Sequence, residues 1–274
     1  MKKILAPTDF SDNAGNAINY AAQIAKLSKA ELILFHAYQV PAIPSDVPFV
    51  MPIDEIEKDA LNGLMKIKKK ILAKYGEELK ITCETKFGLP VDEINTIVKE
   101  KKIDLVVMGV RGAGFLSEKL IGSLTTSLIR KGKCPVLAIN EKVKFRSIKK
   151  IVLAYDYQKI AYKTILEPLK DFVKLFKSHV YLLNVMPELE IASPTRKKVA
   201  GNQIEHALEE FSHSFKFLEN NDIVDGINEF VDENNIDMIV MIPRKHSLLE
   251  SVFQGSNTKR MAFHSHIPLL ALHE

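Results

Sequence analysis

Residues 91–108 read VDEINTIVKEKKIDLVVM, and residues 224–241 read VDGINEFVDENNIDMIVM. The two stretches lie 133 residues apart and align without a gap, with polar residues in step as well as apolar ones. The match continues at the same spacing as far as residues 135–139 and 268–272. An internal repeat of this length predicts that the chain contains two copies of one domain.

The two copies also begin alike, but at a different spacing. Residues 2–9 read KKILAPTD and correspond to residues 149–156, KKIVLAYD, at an offset of 147. The second copy is therefore 14 residues shorter in its middle than the first. We expect domains at residues 1–141 and 147–274, with the boundary in a polar, charged linker over residues 141–147.

Apolar runs alternate with helical patterns throughout the first copy. A helix capped by Ser11 or Asp12 follows the first strand, because apolar residues recur there at helical spacing. Alternating strands and helices predict an α/β fold: two tandem doubly wound, Rossmann-like domains, each with a five-stranded parallel sheet flanked by helices. The predicted strands of the first copy are residues 4–6, 31–38, 79–87, 104–108 and 136–139, and the later helices are residues 54–75, 91–100 and 122–131.

Ligands of such folds bind beyond the carboxyl ends of the strands, near the point where the strand order reverses. Three segments are expected to meet there: the loop Pro7–Phe10, the strand end His36–Tyr38 and the loop Gly109–Ile121. His36 itself either contacts a ligand or serves packing. The proline-rich segment Val40–Pro52 is a lid, an interface loop or a stiff connector.

Composition excludes several classes of protein. The chain has 46% apolar and 26% charged residues, which indicates a packed globular core. Its net charge of +4 is too small and too dispersed to indicate a nucleic-acid partner. No apolar stretch is long enough to cross a membrane, and Met1–Pro7 lacks the apolar region of a signal peptide. Two cysteines without a CxxC pair fit a reduced compartment, so we expect a cytoplasmic protein.

Residues 109–125, GVRGAGFLSEKLIGSLT, form the most informative loop. It runs from a strand end to a helix start, where glycines allow close approach and free backbone N–H groups favour an anion. Ser123 and Thr125 can add hydroxyl donors, and Arg111 can add charge. A Walker A loop requires a lysine after its last glycine, and neither Gly112 nor Gly114 is followed by one. A dinucleotide-binding fingerprint would follow the first strand, where this chain has Pro7-Thr8-Asp9 instead. The residues alone leave open a phosphate site or a connector that needs tight turns.

The spacing Gly109-x2-Gly112-x9-Gly122-Ser123 resembles the signature of ATP-binding universal stress proteins. The opening residues ILAPTDFS, the second strand LFHA and the last strand PVL are also similar to that family. Because the resemblance covers both halves, the chain resembles a tandem universal stress protein of the UspA family, with two fused domains. That resemblance implies a stress-response protein in which adenine-nucleotide occupancy acts as a switch.

The resemblance also implies roles for individual residues. Asp9 would contact adenosine, Ala37 would contact adenine through its backbone, and the glycine-rich loop with the following helix start would hold ribose and phosphates. Mg²⁺ would accompany the ATP phosphates. No resident metal site and no catalytic residue is assigned. The expected ATP-binding residues are Pro7, Thr8, Asp9, Ala37, Met108, Gly109, Val110, Arg111, Gly112, Ala113, Gly114, Phe115, Gly122, Ser123, Leu124 and Thr125.

The second copy departs from this pattern. Ile242 and Lys245 replace the first two glycines of the signature, whereas Gly255-Ser256 remains. The sequence therefore predicts that this copy binds ATP weakly or not at all. Whether Lys245 and His246 contact a different anion stays open.

Signs of catalysis are few, so at most slow ATP hydrolysis is expected. Glu118 either orients a water molecule or faces solvent. One alternative is an adenine-nucleotide hydrolase, although Pro7-Thr8-Asp9 stands where its Ser-Gly-Gly loop would be; another is an interaction protein that binds no nucleotide. Three histidines, His264, His266 and His273, fit ordinary positions on a helix and strand better than a zinc site.

The last strand of each copy would be an exposed apolar edge if it were unpaired. The resemblance implies that these edges, residues 136–139 and 269–272, pair with each other. The fused chain would then form an intramolecular pseudo-dimer, with a homodimer as a further possibility and no membrane partner.

Overall fold

The computed structural model describes residues 1–39, 53–110, 122–155, 162–186, 203–243 and 267–273. The first half contains β1 (Lys3–Pro7), α1 (Asp12–Ser28), β2 (Glu31–Tyr38), α2 (Ile53–Tyr75), β3 (Ile81–Phe87), α3 (Pro90–Lys101), β4 (Leu105–Gly109), α4 (Ser123–Lys131) and β5 (Val136–Ile139). The second half contains β6 (Lys150–Ala154), α5 (Tyr162–Ile165), α6 (Glu167–Phe176), β7 (His179–Met186), α7 (203–208), β8 (His213–Glu219), α8 (Ile223–Asn234), β9 (Met238–Met241) and β10 (Leu269–Ala271).

The predicted elements of the first half are all present, with small shifts at their ends. Ser11 is the N-cap of α1, and its hydroxyl accepts a hydrogen bond from the amide of Ala14 at 3.3 Å. The predicted third strand was two residues too long, because Leu79 and Lys80 precede β3. The segment between β7 and β8 is shorter than that between β2 and β3, which accounts for the length missing from the second copy.

The strands form one ten-stranded sheet in the order β3-β2-β1-β4-β5-β10-β9-β6-β7-β8. Every pairing within each half is parallel, as predicted, and the strand order reverses at β1 and at β6. The two halves meet where β5 pairs antiparallel with β10, with Leu137 opposite Leu270. The expected pairing of the two edge strands within the chain is therefore confirmed.

One polar residue of the repeat, the aspartate at positions 104 and 237, makes the same hydrogen bonds in both halves. A carboxylate oxygen of Asp104 accepts hydrogen bonds from the amides of Lys2 and Lys3, at 2.5 and 2.8 Å. Asp237 accepts from the amides of Lys149 and Lys150 in the same way, at 2.8 and 2.9 Å. Each half thus uses the aspartate before its fourth strand to hold the start of its first strand.

The segment between the halves, expected as a polar, charged linker, also carries two apolar side chains. Val143 is only 2% exposed and belongs to the core. The ring of Phe145 lies 4.9 Å from that of Tyr20 in α1 and 6.2 Å from that of Phe176 in α6. Two apolar side chains in an otherwise charged stretch therefore pack against both domains. Among the described helices, none is long and apolar enough to span a bilayer.

Candidate functional site

A cavity of about 230 Å³ opens beyond the carboxyl ends of β1, β2 and β4. It lies at the reversal of strand order, where the doubly wound fold places ligands. The first turn of α4 closes one side, and α3 supplies part of an apolar wall. The described lining residues are Pro7, Thr8, Asp9, Ala14, Phe35, His36, Ala37, Pro90, Ile94, Met108, Gly109, Gly122, Ser123, Leu124 and Thr125.

Ten of the residues expected from the sequence line this cavity. Val110 does not, because its side chain is buried, its amide donates to the Ile139 carbonyl at 2.9 Å and its carbonyl accepts from the Gly122 amide. Val110 therefore joins the loop to the sheet rather than facing a ligand. Arg111 and residues 112–115 lie outside the described residues, as do Glu118 and residues 40–52. The ten lining residues are Pro7, Thr8, Asp9, Ala37, Met108, Gly109, Gly122, Ser123, Leu124 and Thr125.

The amino-terminal turn of α4 borders this cavity with groups that suit an anion. Gly122 is the N-cap of α4, so the first amides of the helix have no carbonyl of their own helix to bind. The side chain of Ser123 is exposed and stands at the first helical position. Backbone N–H groups and the helix dipole together favour a negatively charged group at this end.

Thr125, whose hydroxyl the sequence offered as a donor to a ligand, makes a hydrogen bond within the domain. Its hydroxyl is buried and donates to the carbonyl of Gly109 at 2.8 Å. This bond ties the first turn of α4 to the end of β4. Thr125 is also among the residues that line the cavity.

The loop after β1 holds the aspartate that the sequence singled out. Asp9 Oδ1 accepts hydrogen bonds from the amide and hydroxyl of Ser11, at 3.0 and 2.6 Å. The amide of Phe10 donates to Thr8 Oγ1 at 2.9 Å, and Phe10 itself has a positive φ of 64°. These bonds fix a tight turn that presents Asp9 at the cavity mouth.

His36, whose role the sequence left open, both lines the cavity and supports this loop. Its Nδ1 lies 2.7 Å from the carbonyl oxygen of Thr8, and since a carbonyl only accepts, Nδ1 carries the hydrogen. Its ring lies 4.5 Å from that of Phe10. His36 thus joins the end of β2 to the loop that carries Asp9.

Four lining residues were not expected: Ala14, Phe35, Pro90 and Ile94. Pro90 begins α3 and Ile94 lies one turn later, so the helix start brings both to the cavity. Ile94 is part of the repeat, and its recurrence as Ile227 predicted only that it lies in the core. Sequence spacing does not show which core residues border an opening.

The model of the Universal stress protein family matches residues 1–140 and, separately, residues 147–273. The chain belongs to the universal stress protein family. Universal stress protein MJ0531 of Methanocaldococcus jannaschii is 32% identical over 146 residues, covering 52% of this chain and 84% of that protein. Universal stress protein MJ0577 of the same organism is 30% identical over 155 residues, covering 52% and 96%. The structure of a universal stress protein from Archaeoglobus fulgidus matches 98% of this chain and 97% of its own, with a TM-score of 0.74 and 22% identity.

The second universal stress protein domain has an equivalent of the hydrogen bond that His36 makes. Pro7 pairs with Phe35, and Ala154 pairs with Leu183, which makes Asn184 the equivalent of His36. The Asn184 side-chain amide donates to the carbonyl of Tyr155 at 2.9 Å, as His36 donates to that of Thr8. Both domains therefore brace the loop after their first strand from the same place on their second strand.

Apolar side chains occupy the corresponding place in this second universal stress protein domain. Val185 is the equivalent of Ala37, and Gly226 in α8 stands where α3 has Glu93. A Cβ at Gly226 would lie only 2.7 Å from Val185 Cγ1, so the strand and helix approach closely because Gly226 has no side chain. Ile242, at the position of Gly109, is buried. Lys245, His246 and Gly255-Ser256 lie outside the described ranges.

Substitution of His36 tests its bracing role in this universal stress protein. We expect His36→Leu to lower the free energy of unfolding by about 1–2 kcal/mol, because the Thr8 carbonyl loses its donor. His36→Asn should keep most of the stability, since Asn184 makes the same bond in the other domain. Urea denaturation of both variants measures the difference, and equal losses in the two would contradict the assignment.

Proposed function

We propose that the first domain binds ATP in the cavity at its strand ends, and that nucleotide occupancy regulates the protein in a stress response. The observation that carries this proposal is the meeting of Asp9, Ala37, Gly109 and the first turn of α4 around one cavity. Those residues come from three separate parts of the chain, and each was expected from its resemblance to ATP-binding universal stress proteins.

The two ends of the cavity suit the two ends of the nucleotide. The apolar wall, with Ile94 and Phe35, suits a planar base, and the backbone of Ala37 lies beside it. Asp9 offers carboxylate oxygens of the kind that accept hydrogen bonds from ribose hydroxyls. The amino-terminal amides of α4 suit the phosphates.

The second domain is proposed to bind no ATP. Val185 and Ile242 fill the places of Ala37 and Gly109, so both the base position and the entry to the phosphate position carry extra side-chain atoms. The proposed stoichiometry is therefore one ATP per chain, and the second domain has a scaffolding or regulatory role.

Mg²⁺ is expected to arrive with ATP. Within the described ranges, no group of three or more His, Cys, Asp or Glu side chains is placed to hold a metal ion. Mg²⁺ usually keeps several waters and takes its other ligands from phosphates and one or two carboxylates. Asp9 is the acidic residue among the described lining residues, and Oδ1 of its carboxylate already accepts two hydrogen bonds. We therefore propose binding, with at most slow hydrolysis, rather than rapid turnover.

A matched pair of variants tests the site. Ser123→Asp should weaken ATP binding by about tenfold or more, because a carboxylate at the first position of α4 repels phosphate. The stability of the fold should not fall, since an acidic residue at a helix start is favourable. Ser256→Asp, at the corresponding position of the second copy, is the control and should bind ATP as the unsubstituted protein does.

Calorimetric titration with Mg-ATP, ADP and AMP, after removal of co-purified nucleotide, gives affinity and stoichiometry together. One site per chain, weakened only by Ser123→Asp, is the expected result. Two equal sites would refute the division between the domains. No binding of any adenine nucleotide would refute the proposed function and favour an interaction protein.

A further inference from the structure

A histidine of the second domain contacts the helix that closes the cavity of the first. His273 follows β10, and its Nε2 lies 3.0 Å from the carbonyl oxygen of Leu128 and 2.9 Å from that of Ile129. Both carbonyls belong to the last part of α4. The other end of α4 carries Ser123 and Thr125 at the cavity.

The chemistry of this contact shows which atom donates the hydrogen bonds. Carbonyl oxygens only accept, so Nε2 carries the hydrogen and donates to both. The Leu128 carbonyl also accepts a hydrogen bond from the Gly132 amide at 2.7 Å, so His273 adds a second donor there and a donor for the Ile129 carbonyl near the end of the helix. Burial lowers the pKa of His273, because removal from water disfavours the charged form of the ring. Its Nδ1 is also buried and has no hydrogen-bond partner within the described part of the chain, as suits an unprotonated nitrogen.

The helix between these ends is short and well packed. It has nine residues, so it extends about 13 Å at about 1.5 Å per residue. Thr125, Leu128 and Ile129 are buried along it. One end is tied to Gly109 by the Thr125 hydroxyl, and the other end is tied to the second domain by His273. A change at either tie therefore moves or loosens the whole helix.

We propose that His273 is a positioning residue by which the second domain, itself without ATP, sets the phosphate affinity of the first domain through α4. This inference rests on the proposed function. The β5–β10 pairing brings His273 to α4, and the helix carries its orientation to the amides that face the cavity. The second domain thus contributes to a site that none of its described residues lines.

The test compares His273→Leu with His273→Gln in the full chain. Leucine removes the donor, whereas the glutamine amide can still donate to the helix carbonyls. We expect His273→Leu to weaken ATP binding by about fivefold or more. Adenosine binding should change little, because α4 holds the phosphates. His273→Gln should recover most of the ATP affinity, and hydrogen exchange of the α4 amides without nucleotide should speed up only in the leucine variant.

The control is His206→Leu, since His206 is on the surface with its side chain 81% exposed. It should match the unsubstituted protein in both measurements. ATP binding and α4 exchange unchanged in His273→Leu would overturn the inference, and so would equal losses of ATP affinity in the leucine and glutamine variants. Absence of ATP binding by the unsubstituted protein would instead refute the proposed function, so the two failures are distinguishable.

Discussion

Ala37→Val is expected to weaken ATP binding by about 10- to 100-fold. The second domain has valine at this position, and Val185 packs there against Gly226 of the helix beside it. The first domain has Glu93 in place of that glycine, so a valine at position 37 would meet a Cβ as well as occupy the cavity. Overpacking of this kind costs about 1–3 kcal/mol of stability.

The double variant Ala37→Val/Glu93→Gly separates binding from stability. It reproduces the residue pair of the second domain, so we expect it to regain the lost stability while ATP affinity stays low. Denaturant unfolding and calorimetric titration of the single and double variants give the two quantities. Recovery of ATP binding together with stability would show that the Ala37 position is not part of the nucleotide site.

Leu270→Asp is expected to lower the free energy of unfolding by about 4 kcal/mol or more. Leu270 is fully buried, lies opposite Leu137 and pairs on its other side with Val240. A carboxylate there would lose its hydration at the joint between the two domains. Because β5 and β10 are the strands that unite the sheet, unfolding should also separate into two steps.

Calorimetry and urea denaturation measure both effects of this substitution. Leu27→Asp is the matched control, because Leu27 lies on α1 and is 53% exposed. The control should lower stability by no more than about 1 kcal/mol, because Leu27 is exposed and the added carboxylate meets only the end of the α1 dipole. A single transition at the original midpoint in Leu270→Asp would mean that the β5–β10 pairing does not hold the domains together in solution.

The sequence predicted those features that local patterns determine. Alternating apolar runs defined the strands and helices of the first half, and Ser11 was one of two residues predicted as the cap of α1, because capping chemistry is local. The repeat predicted two domains, and the apolar last strands, together with the family resemblance, predicted their pairing. Ten of the fifteen described lining residues were likewise expected, from the family resemblance of the first two strands and of the glycine-rich loop.

Features that depend on three-dimensional register could not be predicted. The local sequence does not show whether the Thr125 hydroxyl donates to the protein or to a ligand, because that depends on where the Gly109 carbonyl points. Val143 and Phe145 were hidden in a charged stretch whose average polarity indicated a linker. The Val185–Gly226 contact requires knowledge of which strand position faces which helix turn, and the contact of His273 with α4 crosses 144 residues of chain.

The antiparallel joint of β5 with β10 has a consequence for how such a protein can evolve. In a symmetric dimer of identical subunits, each substitution appears on both sides of the interface. Here the two sides are different stretches of one chain, so a mutation alters one side alone. The first half could therefore keep Ala37 and Gly109 at its strand ends while the second half has Val185 and Ile242 at the equivalent positions. Two halves within one chain can thus change independently of each other, which two identical subunits cannot do.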